Sequence, residues 1–157
     1  MKKMIVAAVF AAVAAAAPLA AAQDAAAVAD LQAMQQAARK DKRALVAEKL
    51  QLTPAEAKKF WPIYDQLQMD LQNVNRARNL ALETLVSRDK PVSDAYAKQI
   101  VGDLMSAEEQ EVKAMRKAVN GSMKALPPRK AARYLQIENK LRAAQDYEIA
   151  VVFPLAQ

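Results

Sequence analysis

A 17-residue segment that occurs twice constrains the fold of this chain more than any other feature. The first copy, residues 52–68, reads LTPAEAKKFWPIYDQLQ, and the second, residues 126–142, reads LPPRKAARYLQIENKLR, 74 positions later. Each copy opens with Leu-x-Pro and continues into an amphipathic stretch, which is the pattern of a helix start. The repeat therefore predicts a body built from two related helical hairpins.

The composition favours helices along the whole chain. Gly occurs only twice, and Ala, Leu, Lys, Gln, Glu and Arg dominate. These residues form helices readily and leave little material for strands. We therefore predict an all-α protein with four main helices, at about residues 28–50, 54–86, 94–125 and 128–152.

The first 22 residues have the features of a secretory signal peptide. Lys2 and Lys3 precede an uncharged apolar run of 14 residues, residues 4–17, and three alanines, residues 20–22, follow Pro18. A membrane-spanning helix is the alternative, but it needs roughly 18 to 20 apolar residues. We expect cleavage after Ala22, which leaves a single helical domain of residues 23–157 and directs it to the periplasm.

The residue types that most often carry chemistry are missing. The chain has no Cys and no His, so the usual zinc and copper ligands, His general bases and Cys nucleophiles are absent. The two glycines form no phosphate-binding loop, and no nucleic-acid motif accompanies the net charge of +6. We therefore expect no metal, no cofactor, no nucleic-acid partner and no enzyme activity. Without disulfides the helices must hold by packing, either within one chain or across a dimer.

Two helix starts are the structural motif of the chain. In the first, Leu52 precedes Thr53, Pro54 and Glu56, and Thr53 and Glu56 have the spacing of a capping box. The second is Leu126-Pro127-Pro128, which ends one helix and begins the next. After the first start, a 4-3 spacing predicts one continuous seam, which Arg78 interrupts with a charge that must be paired or reach solvent. The seam consists of Phe60, Tyr64, Leu67, Leu71, Val74, Arg78, Ala81 and Leu85.

The third helix carries two neighbouring apolar stripes. One consists of Ala97, Ile100, Leu104, Ala107, Ala114 and Ala118, and the other of Val101, Met105, Val112, Met115, Val119 and Met123. The second stripe is either ordinary core or a client-binding surface, because Met side chains adapt to varied partners. Met105, Met115 and Met123 are the candidate contact residues, and their spacing is too wide to converge on a soft metal.

Two further groups of residues admit both a structural and a functional interpretation. The basic segment with Arg39, Lys40, Lys42 and Arg43 is either a solvated helix face or a patch for a partner or lipid head group. Trp61, beside Phe60, either anchors the start of the second helix or forms a binding surface.

The sequence also makes two predictions about charged side chains. The run of residues 108–111 (EEQE) is expected to be solvated. Glu138 and Arg142 have the spacing of a helical ion pair.

The signal peptide, the four helices and the two Leu-Thr-Pro-like helix starts resemble the Spy/CpxP group of periplasmic stress proteins, whose signature is a twice-occurring LTxxQ motif. Here the copies read LTPAE and LPPRK, with Glu56 and Lys130 at the position of the Gln. The resemblance implies an elongated, curved, antiparallel homodimer that binds unfolded clients without ATP, or that docks on the sensor domain of an envelope-stress kinase.

The expected function is therefore chaperone-like binding of unfolded or partly folded envelope proteins. One alternative is a regulatory module that docks on an envelope-stress sensor with defined stoichiometry. The other is a purely structural helical protein of the envelope, in which the Met residues and the aromatic residues are fully buried.

Overall fold

The computed structural model describes the backbone of residues 17–86 and 92–152 and the side chains of residues 25–83 and 92–151. All secondary structure in these ranges is helical: α1 Ala17–Leu50, α2 Pro54–Val86, α3 Asp94–Ala125 and α4 Pro128–Val152. The prediction of an all-α protein with four helices is confirmed. Most of the expected signal peptide, residues 1–16, lies outside the described residues, as does the expected break at residues 87–91. No helix in the described ranges has the length and apolar character to cross a membrane.

The first helix differs from the expectation in two respects. It already begins at Ala17, and it is broken at Asp41, whose backbone is not helical (φ −157°, ψ 94°). The Asp41 carboxylate accepts a hydrogen bond from the Ala44 amide at 2.9 Å, so Asp41 caps a second helical segment that ends at Leu50. The described part of the chain divides into two compact units, with the boundary between Leu45 and Val46.

The second unit has a continuous apolar core. Phe60 and Tyr134 are fully buried at its centre, with their ring centroids 4.9 Å apart and their planes at 88°, an edge-to-face geometry that aromatic pairs favour. Burial raises the pKa of Tyr134 well above its ordinary value, and the charge of Glu138 raises it further. The predicted seam of α2 lies in this core, and its described aromatic and aliphatic members are buried or half-buried.

The helices of this unit alternate in direction. Ile63 of α2 lies so close to Gly121 of α3 that a Cβ at Gly121 would be 3.2 Å from it. Further along α2, Arg78 pairs with Glu111 of α3, so α2 and α3 are antiparallel. The pairing of the helices into two related hairpins remains a prediction.

The two copies of the repeat lie side by side. Glu56 and Lys130 occupy equivalent positions in the copies, and their side chains meet at 2.7 Å. One turn later the equivalent pair Phe60 and Tyr134 forms the centre of the core. The repeat is therefore the register in which the starts of α2 and α4 pack together.

Both helix starts are fixed by hydrogen bonds at this junction. The capping box is present: the Thr53 amide donates to Glu56 Oε2 at 2.8 Å, and the Glu56 amide donates to Thr53 Oγ1 at 3.3 Å. Lys130 Nζ donates to the same Glu56 oxygen and to the Gln51 carbonyl at 2.8 Å. Lys130 of the second copy occupies the position that the capping residue Glu56 has in the first copy. Its side chain joins the two helix starts.

The Glu56–Lys130 pair predicts a pH-dependent contribution to stability. The hydrogen bond from Lys130 lowers the pKa of Glu56 from its ordinary value of 4.5, and the bond from the Thr53 amide lowers it further. Because the folded state lowers this pKa, the stabilisation is fully present above about pH 4.5 and is lost as the pH falls through the lower, folded-state value. A double-mutant cycle with Glu56→Gln and Lys130→Met, followed by urea unfolding, should show coupling at pH 7 that vanishes in acid. Coupling that is independent of pH would contradict an ionic pair, and Glu56→Gln keeps the capping box intact as an internal control.

Gln51 provides a second test of the junction. It directly follows the last residue of α1 and has φ +46°, in the left-handed region, where a side chain costs roughly 1 kcal/mol. Gln51→Gly should therefore raise the free energy of unfolding by about that amount, since Lys130 bonds only the backbone carbonyl at this position. Gln51→Ala, which keeps a Cβ, is the matched control and should show no such gain.

Candidate binding groove and apolar stripe

An open groove of about 460 Å³ lies between α2, α3 and α4, away from the buried aromatic pair. Its walls are mainly apolar, and its charged residues come from all three helices. A concave, largely apolar site with a few polar groups is the usual form of a binding site. The apolar lining residues are Leu82, Leu104, Val112, Ile149 and Ala150.

A network of ion pairs is built around Glu111 in this groove. One oxygen of the Glu111 carboxylate bonds Arg78, and the other lies 3.6 Å from Arg142. Arg78 also lies 3.7 Å from Asp146 of α4. The side chains of Arg78 and Glu111 are only 11% and 7% exposed, so each charge depends on its partner for compensation. The charge that interrupts the α2 seam is therefore paired, as its position requires.

The sequence analysis was wrong about Glu111, which belongs to the run expected to be solvated. Its neighbours Glu108 and Glu109 are exposed, whereas Glu111 faces the core side of α3 between Ala107 and Ala114. Glu138 is also buried, and it accepts a hydrogen bond from Gln68 of α2 at 3.4 Å. Ala107 lies four residues before Glu111 and Ala114 three residues after it, so all three share one helix face. This spacing was the signal that could have predicted the burial of Glu111.

Most of the second apolar stripe of α3 faces solvent, although Val119 is half-buried. Val101, Met105, Val112 and Met123 are 60%, 52%, 50% and 49% exposed, while Met115 is half-buried against the core. The first stripe packs inward, with Ile100, Ala107, Ala114 and Ala118 buried. The structure thus places Met105 and Met123 on an open surface, which favours the binding interpretation over ordinary core packing.

The other candidate residues lie elsewhere. Trp61 is half-buried and packs in the aromatic cluster, 5.2 Å from Phe60 and 5.4 Å from Tyr64 between ring centroids, which supports its interpretation as an anchor of α2. The basic segment lies at the break of α1 around Asp41, where Arg39, Lys40 and Arg43 are exposed and Lys42 is half-buried.

In the described part of the chain, no group of three or more His, Cys, Asp or Glu side chains is placed to hold a metal ion. No protein-family model, curated protein or solved structure matches the chain.

The ion-pair network predicts unequal effects for two neighbouring glutamates. Glu111→Ala removes the closest carboxylate in the described residues from the buried Arg78 and keeps its 3.7 Å contact to Asp146, so it should lower the free energy of unfolding by about 3 kcal/mol. Glu109→Ala removes an exposed carboxylate from the same helix and should change it by less than about 0.5 kcal/mol. Urea titrations of both variants measure the difference, and equal effects would show that the network adds nothing to stability.

Proposed function

We propose that this protein is an exported, ATP-independent, chaperone-like binder of unfolded or partly folded envelope proteins. The observation that carries the proposal is the open groove, with apolar walls on three helices and charges of both signs at its edge. Segments of an unfolded chain present the same mixture of apolar and charged side chains.

The groove suits weak and general capture. Its buried charges, Arg78 and Glu111, satisfy each other, so they demand no particular group from a client. At the edge, Arg142 and Asp146 are 41% and 52% exposed, and they offer one charge of each sign. Apolar contacts that require few specific polar groups on the client give affinity without strict selectivity. Such binding holds a client loosely enough for it to fold after release.

Other features of the chain support the same function. The basic residues at the break of α1 would attract acidic clients over a distance. The N-terminal signal pattern supports export to the periplasm. The resemblance of the two helix starts to the Spy/CpxP group adds the expectation of client binding without ATP. The solvent-exposed residues Met105 and Met123 argue against a purely structural role.

Suppression of aggregation tests the proposal. In a light-scattering assay with a chemically unfolded client, the protein at several-fold molar excess should reduce the scattering without added ATP. Ile149→Asp should weaken capture roughly tenfold, since it replaces the burial of one aliphatic side chain by a charge. Val151→Asp is the matched control on the same helix, because Val151 is 65% exposed and does not line the groove.

Two outcomes would overturn the proposal. One is the absence of suppression by the wild-type protein at any excess. The other is an affinity pull-down from the envelope that yields a single protein in fixed stoichiometry, which is the result expected for docking on a stress sensor. Equal loss in both aspartate variants would place capture outside the groove.

A further inference from the structure

The helix ends at the junction of α2 and α4 carry most of the excess positive charge of the chain. Residues 46–60 and 124–134, which run up to the buried pair Phe60 and Tyr134, contain seven basic and two acidic residues, a net charge of +5. The whole chain has a net charge of +6. We call this end of the second unit the basic tip. Its exposed cations are Lys49, Lys58, Lys59, Lys124, Arg129 and Arg133.

Hydrogen bonds and a short connection bring these helix ends together. Arg133 of α4 donates to the Lys49 carbonyl at 3.2 Å, and Lys130 of α4 donates to the Gln51 carbonyl at 2.8 Å. The end of α1 therefore lies against the start of α4, beside the start of α2. Lys124 is in the last turn of α3, and only two residues separate α3 from α4. All the exposed cations of the basic tip thus share one end of the unit.

The acidic residues of the tip do not neutralise it. Glu48 lies 3.2 Å from Lys49, and Glu56 lies 2.7 Å from Lys130, so both carboxylates are already paired and five positive charges remain in excess. The exposed uncharged residues of the tip are mostly Ala and Pro, at positions 47, 54, 55, 127, 128 and 132. Long basic side chains extend beyond such short neighbours, so their charges are accessible to a partner.

The rest of the chain beyond Leu45 has the opposite sign. Residues 61–123 and 135–157 contain twelve acidic and ten basic residues, a net charge of −2. An anionic surface attracts the basic tip and repels the remainder, so it orients a molecule with this charge distribution as well as attracting it.

The width and the composition of the basic tip fit an extended anionic surface. The end of a bundle of several helices is about 20 Å wide, since one helix with its side chains is about 10 Å across. A single acidic segment covers only a strip of that width, whereas a layer of phosphates covers all of it. Four of the six exposed cations are Lys, whose flexible point charge suits mobile head groups, while fixed bidentate recognition favours Arg. None of the six lines the groove.

We propose that the basic tip docks end-on on a lipid bilayer that contains anionic head groups. Each Lys or Arg near such a bilayer is attracted by its negative surface potential, and several together give reversible binding without insertion of a helix. The choice of a bilayer among anionic surfaces rests on the export that the proposed function includes. The docking itself does not depend on client capture.

Docking at the basic tip leaves the groove free for a client. Arg78 of the groove lies 19 residues beyond Lys59 on α2, which is about 28 Å along the helix axis. This is more than three times the Debye length of about 8 Å at physiological ionic strength. The acidic groove residues Glu108 and Asp146 are therefore screened from the bilayer, and a docked protein keeps its groove outside the head-group layer.

Vesicle flotation with charge-neutralised variants tests the proposal. The expected processed chain, residues 23–157, should float with vesicles of equal parts phosphatidylglycerol and phosphatidylcholine, and it should not float with phosphatidylcholine alone. Lys58→Gln/Lys59→Gln/Arg129→Gln should weaken binding roughly a hundredfold, since each basic residue contributes about fivefold. Salt at about 1 M, which shortens the Debye length to about 3 Å, should release the wild-type protein.

A matched variant separates the basic tip from the total charge. Lys113→Gln/Arg116→Gln/Lys117→Gln removes three exposed cations from the middle of α3 and leaves the same net charge. These residues lie about 10 Å or more from Lys124 along the helix, so the loss should be less than about threefold. Equal weakening by both triple variants, or equal flotation with and without phosphatidylglycerol, would overturn the proposal.

Two further measurements separate the remaining explanations. Binding of soluble polyglutamate that depends on the tip, with no flotation on vesicles, would overturn the bilayer in favour of an acidic protein partner. Both triple variants should keep the helicity of the wild type by circular dichroism and its suppression of aggregation. Loss of docking is thereby distinguished from unfolding and from loss of client capture, and docking without any capture would overturn the proposed function alone.

Discussion

The contact between the starts of α2 and α4 is the interaction on which the rest of the second unit depends. Phe60 and Tyr134 bury their rings against each other, and Glu56 and Lys130 join the same two helix starts one turn earlier. A pair of buried aromatic rings gains from both area and geometry, whereas the ion pair is partly exposed and mainly fixes register. This contact places α2 beside α4, while α3 packs against α2 in the opposite direction, and the groove lies between the three helices.

The far end of the unit combines small buried apolar residues, such as Ala81, Ala107 and Ala144, with a cluster of paired charges. There Arg78, Glu111, Arg142 and Asp146 replace the aromatic residues of the junction. Buried charges of this kind add little net stability, since desolvation offsets most of their attraction, but removing one partner is costly. The open groove lies beside this paired cluster, and all four charged residues line it.

Local patterns were sufficient for most of the fold, and most of what they missed depends on which helices become neighbours. The start of α2 at Pro54 and the start of α4 at Pro128 follow from capping and Pro chemistry, which depend on neighbouring residues only. The break at Asp41 was missed, although Asp is a good N-cap, because the helical pattern continues through it. The burial of Glu111 and the pairing of Glu56 with Lys130 depend on which helices become neighbours. The periodicity of apolar residues within one helix does not predict its neighbours. The groove was missed for the same reason, as its walls come from three helices.

The distribution of residue sizes on α3 explains why an apolar surface remains outside. The buried positions are mostly small, with Ala107, Ala114 and Ala118, while Val101 and Met105 face solvent. A helix that had only to stabilise its own chain would bury the larger side chains, because the gain follows the apolar area removed from water. Small residues on the inner face allow α2 to approach closely, as Ile63 does at Gly121, and they leave the larger residues for the outer face. This arrangement is costly for an isolated chain and useful for one whose outer face is covered by a partner, which is the arrangement expected of an interaction helix.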